Sequence, residues 1–292
     1  MSGLGSIFGL IEDSPDARDK PFYLASEVQT VAGETDLSAQ LPPAYDQGQL
    51  GTCACQATAG MVQYLFPGER PSVLQLYWEA RIAGGYPTSK DGGSQIRDAM
   101  KVLQKTGLMP ESAWPYVESN FDDPPPQYAG PRMTIANYSR INSVDDALKC
   151  LTLGHPFVLS IDLPDYFDNV AGSLGVLPNP VGRNEHIGLH AMLGVGHDTN
   201  FRSSNVYTHA IEQGVSPEVL DDDVAFLVRN SWSTFWGLQD AKEHEGHFWL
   251  PAKWLSNRSL VGDCWTGFRE FTTSSAPEGS TVAGVPVKGH FT

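Results

Sequence analysis

Asp46-Gln47-Gly48-Gln49-Leu50-Gly51-Thr52-Cys53 follows the turn marked by Pro42-Pro43 and runs straight into Ala54-Cys55-Gln56-Ala57-Thr58-Ala59-Gly60-Met61-Val62-Gln63-Tyr64-Leu65. The second stretch is Ala-rich and free of proline, so it reads as a helix that begins near Cys53. A helix start leaves backbone N–H groups unpaired and carries the positive end of the dipole, and both favour a thiolate. The thiolate is the nucleophilic form, so the placement suits chemistry. The competing reading is a packed cysteine, because free Cys is among the most buried residue types. Residues two apart on a helix point to different sides, so Cys53 and Cys55 cannot both face one cleft. The spacing to Gln47 selects Cys53.

Composition narrows the class. The 292 residues hold 41% hydrophobic and 10% aromatic residues, which fits a globular chain with a substantial core. Lys and Arg total 19 against 34 Asp and Glu, a net charge of -15. That balance argues against nucleic acid and anionic membrane surfaces as partners. No run approaches the roughly 18 apolar residues of a membrane span, and the start lacks a basic n-region before Glu12 and Asp13, so no signal peptide is expected. Cys53, Cys55, Cys150 and Cys264 are too few and too scattered for a disulfide framework; a reducing, cytoplasmic-type compartment is expected, with a Cys150–Cys264 bridge left open. Cys53 and Cys55 have no second Cys/His pair to complete a zinc set, and neither a metal nor a cofactor is expected.

Residues 1–45 carry charges and turn formers with little periodicity, which suggests an extended arm. Apolar spacing predicts helices over Pro71–Ile82 and Ser94–Thr106, the second closed by Gly107. After Pro124-Pro125-Pro126 the pattern turns strand-like at Arg132–Ile135, Phe157–Ile161, His190–Val195, Ala225–Val228 and His247–Leu250, with one short helix near Ser143–Leu151. Helices first and strands later imply an α+β chain with two lobes. The stretch 199–223 reads as a polar, acidic insertion, and 272–292 as a Ser-, Gly- and Pro-rich tail.

A thiol nucleophile needs a base, a group that orients the base, and donors for an oxyanion. His190 opens the apolar run Ala191-Met192-Leu193-Gly194-Val195 and offers the base. Asn230 ends Ala225–Arg229 and offers a carbonyl to one imidazole N–H. Gln47 offers an amide N–H beside the Cys53 backbone. Each has a plainer reading, as a satisfied core histidine or a turn-forming Asn.

Taken together, Gln47-Gly48 before Cys53, then His190-Ala191, Asn230-Ser231-Trp232, Trp236-Gly237 and Gly246-His247-Phe248 resemble the papain-like cysteine peptidases over about residues 10–270. The likeness is to the microbial and viral-type branch, where Asp-Gln-Gly-x-Leu-Gly-Thr-Cys replaces the disulfide-bearing loop. His190 follows Cys53 by about 137 positions, within the roughly 130–150 usual for such a pair; Asn230 follows by about 177, and the 199–223 insertion accounts for the excess.

The resemblance implies a papain-like two-lobe fold, with a peptidase domain over 46–271: a helical lobe of about 46–124, a β-rich lobe of about 125–271 and a cleft between them. It implies Cys53 as nucleophile, His190 as general base and then acid, Asn230 as imidazole orienter and Gln47 in the oxyanion hole. Trp232 would shield the Asn230–His190 bond, and Trp236 would wall the leaving-group side. Gly92 and Gly93, from Asp91-Gly92-Gly93, would hold an extended peptide, with Ala191 beside it. Fifty-two residues before Cys53 leave no room for a folded pro-domain in addition to the arm. The expected activity is peptide hydrolysis through a thioester. The alternatives are an acyl transferase, or an assembly module using the arm, the insertion or the tail.

Overall fold

The computed structural model describes residues 8–22, 28–180 and 185–269, so the tail expected over 272–292 lies outside the described residues. Its elements are β1 (Glu34–Asp36), α1 (Cys53–Leu65), α2 (Val73–Gly84), α3 (Ile96–Lys105), β2 (Asn137–Arg140), α4 (Val144–Thr152), β3 (Phe157–Pro164), α5 (Phe167–Leu174), β4 (His186–Asp198), α6 (Asn205–Glu212), β5 (Ala225–Arg229), β6 (His247–Pro251), α7 (Ala252–Ser256) and β7 (Cys264–Phe268). Local chemistry sets several boundaries. Ser72 accepts from the Gln75 N–H to cap α2, and Ser143 accepts from Asp146 to cap α4. Gly107, at φ 68°, receives the chain beyond α3 and donates to Val102 O, as its position after the periodic run predicts.

All strand pairings are antiparallel, in the order β2-β7-β3-β4-β5-β6, with β1 added against β4. Strand residues alternate between two cores, as a period of two requires. Ala225 and Leu227 of β5 face the core that holds α1, α2 and α3, while Phe226 and Val228 face the core that holds α4, α5 and α7. Both faces of β5 are therefore covered, which explains its unbroken apolar run. Truncating a fully buried ring such as Phe157 should cost about 3–5 kcal/mol.

Two sequence readings shift, and a pairing left open is found unmade. The run Arg132–Ile135 is not a strand: Met133 makes an isolated bridge with Leu108, and the paired strand begins at Asn137. The 199–223 segment holds α6 and buries Phe201, Ala210 and Leu220, with the Phe201 ring 5.4 Å from that of Trp249, so it is packed structure with a polar exterior. Cys150 and Cys264 are both free, and the Cys150 thiol donates to His155 O. No helix among the described residues is long and apolar enough to cross a membrane.

Candidate active site

Cys53 is the first residue of α1, and small residues (Ala54, Ala57, Ala59) let this helix pack closely on β4. The sulfur is fully buried. Backbone N–H groups of Ala191, Gly9 and Ala54 reach it and pull its pKa down, yet burial dominates and pushes the thiol up to about 11. The helix start that favours a thiolate is present, and in this covered arrangement burial opposes it. Cys55 faces elsewhere, its sulfur 3.4 Å from Ser94 Oγ, and burial pushes it to about 12.

His190 lies on β4 opposite Ile161 of β3, and Asn230 directly follows β5. His190 Nε2 meets Asn230 Oδ1 at 2.8 Å, so Nε2 carries the proton that the amide oxygen accepts. The same oxygen accepts from the Ser231 backbone N–H at 2.8 Å, which fixes the flip of the Asn230 amide. His190 Nδ1 has no hydrogen-bond partner among the described residues. Burial holds the imidazole down at about 4 despite the Asn230 bond. The indole of Trp232 covers it, ring centroids 5.1 Å apart. Trp236 continues the aromatic wall against Trp232 and Phe167, and its Nε1 donates to Asp168 Oδ1 at 2.9 Å.

Gln47 is fully buried and bridges the two sides. Its backbone N–H donates to Ser231 O, Ser231 Oγ donates to its Oε1 at 2.6 Å, and its Nε2 donates to Leu50 O at 3.0 Å. Sequence reasoning assigned Ser231 no role of its own, although its place beside Asn230 was the available signal.

The arm runs through this site. Phe8 lies edge-on to His190 at 6.1 Å, Gly9 meets the Cys53 sulfur, and Leu10 pairs in parallel with Ser94 through Ser94 N–H to Gly9 O and Ile11 N–H to Ser94 O. Beyond them Asp13 is buried against Trp265 Nε1, the Arg97 N–H and Asp263. The approach at Gly9 is close: a Cβ there would fall 2.0 Å from Gly51 O, and one on Gly93 would fall 1.9 Å from Gly9 O. Gly93 has φ 80° as well, so glycine is required there twice over. Gly92 is exposed, and a Cβ there would meet open space, whereas Gly93 is buried against the arm. Among the described residues no cluster of His, Cys, Asp or Glu is arranged to hold a metal ion.

This fold is that of the papain-like cysteine proteases, with one thiol at the start of α1 and a histidine on β4. No family model matches the chain. It is 27% identical, over 88% of its length and 85% of the relative's, to an uncharacterized peptidase C1-like protein of Acanthamoeba polyphaga mimivirus. A cysteine protease of Blomia tropicalis is 25% identical over 68% of this chain and 56% of its own. Among solved structures, xylellain, a cysteine protease from Xylella fastidiosa, superposes with a TM-score of 0.73 at 26% identity, covering 91% of this chain and 97% of the other. These relatives support a cysteine-peptidase activity of the papain family, and hence a hydrolase.

Proposed function

We propose that the chain hydrolyses peptide bonds with Cys53 as nucleophile, His190 as base and then acid, Asn230 as orienter of the imidazole, and Gln47 with the Cys53 backbone N–H as oxyanion donors. The observation that carries this reading is the 2.8 Å bond from His190 Nε2 to Asn230 Oδ1, roofed by Trp232 and adjoining the Ala191 N–H that reaches the Cys53 sulfur. In the reaction His190 takes the thiol proton and Sγ attacks the carbonyl carbon. The C–N bond breaks as the imidazolium gives its proton to the leaving amine. Water then gives one proton to His190 and attacks the thioester carbonyl; the C–S bond breaks, the carboxylic acid product leaves, and His190 returns the proton to the sulfur. No bound ion is needed at any step.

The occupied cleft supports a resting form. With the thiol near 11 and the imidazole near 4, the pair is neutral between those values while the arm covers it. Departure of residues 8–11 readmits water, which favours the thiolate–imidazolium pair. The test is labelling with a thiol-directed epoxide, and peptide cleavage, by the full chain and by a chain lacking residues 1–11. Both activities should vanish in Cys53→Ala. If neither form of the wild-type chain labels or cleaves, the reading is wrong.

A further inference from the structure

Asp91 precedes the two glycines expected to bind substrate, and the sequence gives it no role of its own. In the structure its carboxylate grips the loop that leads to Cys53, accepting from the Gly51 backbone N–H at 3.1 and 3.0 Å through its two oxygens. It also accepts from the Tyr77 hydroxyl at 2.5 Å, and that hydroxyl accepts in turn from the Gly93 N–H at 3.0 Å. Tyr77 sits on α2 and is fully buried; desolvation and the neighbouring carboxylate push its phenol well up, so it stays protonated and able to donate. Arg81, one turn along α2, stacks on the Tyr77 ring at 4.0 Å and donates to Thr88 O and Lys90 O, tying down the chain that carries Asp91.

The connection reaches further on each side. Gly51 N–H and Leu50 O belong to one rigid peptide plane. Gripping the N–H therefore aims the carbonyl, and Leu50 O is the acceptor that holds Gln47 Nε2 at 3.0 Å. On the other side Gly93 N–H is held by Tyr77 while Ser94, the next residue, pairs with the arm. A peptide is already threaded between the two gripped glycines: Gly9 is packed against Gly51 O and Gly93 at once.

We infer that Asp91 is a positioning residue, a hydrogen-bonded strap that with Tyr77 sets the distance between the Gln47–Cys53 loop and the Gly93 edge, and so couples oxyanion geometry to peptide binding. The inference rests on the peptidase reading for its effect on turnover, but the strap itself is measurable without activity.

The variants are Asp91→Ala, Asp91→Asn and Tyr77→Phe in the full chain. Asp91→Ala should lower kcat/KM for a fluorogenic peptide about 10- to 100-fold, a partial loss of oxyanion alignment. Alkylation of Cys53 by iodoacetamide should stay within about threefold, because that reaction uses no oxyanion donors. Asp91→Asn keeps an acceptor for Gly51 and should stay within about fivefold of wild type. Tyr77→Phe should raise KM about three- to tenfold with kcat within about twofold. The double variant Asp91→Ala/Tyr77→Phe should lose clearly less than the product of the two single losses, since both act through one strap.

A role confined to stability predicts instead that labelling and turnover fall together with the folded fraction, and that result overturns the inference. So does a double variant whose losses add. Amide exchange decides independently of catalysis: Asp91→Ala should release the Gly51 N–H and Tyr77→Phe the Gly93 N–H, and unchanged protection at Gly51 overturns the strap. Should Asp91→Ala fail to fold, the Asn and Phe variants carry the same comparison. A wild-type chain with a protected Gly51 that neither labels nor cleaves sinks the peptidase reading and leaves only the coupling to turnover without meaning.

Discussion

The two halves of the site are held by different means. On the sheet side, His190 on β4 and Asn230 just beyond the end of β5 are joined side chain to side chain, and the register of those two neighbouring strands is set by a ladder buried on both faces. On the helix side, Gln47 and Cys53 are aimed mainly by peptide planes, namely Leu50 O, the Gly51 N–H and the backbone N–H groups around the sulfur, with the Ser231 hydroxyl tying Gln47 Oε1 across to the sheet side. A strand cannot slip without turning every side chain to the other face. A loop can shift by a fraction of an ångström at little cost. The His190 half is thus rigid by construction, and the Cys53 half depends on local bonds that a single substitution removes.

The comparison is open to attack from both sides. The largest effect is expected at the reacting atoms: Cys53→Ala should abolish turnover, and His190→Ala should lower kcat by about 10³-fold or more, both measured with a fluorogenic peptide. Gln47→Ala should cost about 10²-fold in kcat by removing an oxyanion donor. Asn230→Ala is the milder change if the sheet side is rigid, about 10-fold, because Trp232 and the strand still hold the ring. A larger loss at Asn230 than at Gln47 would reverse the assignment of rigid and deformable halves.

Removing residues 1–11 should speed alkylation of Cys53 at pH 7 by about tenfold, since restored solvent lowers the thiol pKa toward its ordinary value. An unchanged rate would mean that the arm does not control the thiol.

The smallest effect separates the halves by pH. His190, at about 4, and His247, at about 3, are buried neutral, below the ordinary value of 6.5. The unfolded chain therefore binds protons that the folded one refuses, and their contribution to stability, complete above about pH 6.5, is lost as pH falls through 4. His244 is the opposite case: Asp36 first, then Asp240, raise it to about 9, so its contribution is present below about 6.5 and lost as pH rises through 9. The melting temperature should be highest near neutrality, and His244→Gln should lower it by a few degrees at pH 6 and hardly at all at pH 10. A melting temperature flat from pH 4 to 7 would contradict the buried neutral imidazoles.

What the sequence revealed divides along the same line. α1 and the strands around His190 and Asn230 were legible because their signals are local: helix formers, alternation and turn residues within a few positions. β7 and α5 were missed because Cys264–Phe268 and Phe167–Leu174 are short and their apolar residues acquire meaning only against distant partners. Asp91 entered only as the residue before the two glycines and Tyr77 only as part of a helix, since nothing near either residue in the sequence announces a bond to Gly51 or Gly93. The arm was read as draped, but its route past Cys53 depends on contacts such as Asp13 with Asp263 and Trp265, about 250 positions away. The helix start suggested an acidic thiol because the sequence shows the dipole and hides the covering chain.

That covering chain is a tethered ligand. Its concentration at the groove is set by the length of the link between Asp13 and Gly9 rather than by the amount of protein in solution, and for a short link it is of millimolar order or higher. Dilution therefore does not free the site, and a substrate must outcompete a rival that is never depleted. Apparent KM in the full chain would measure that competition as much as the affinity of the groove, and its ratio to KM in the shortened chain would report how much of the time the tether lies in place.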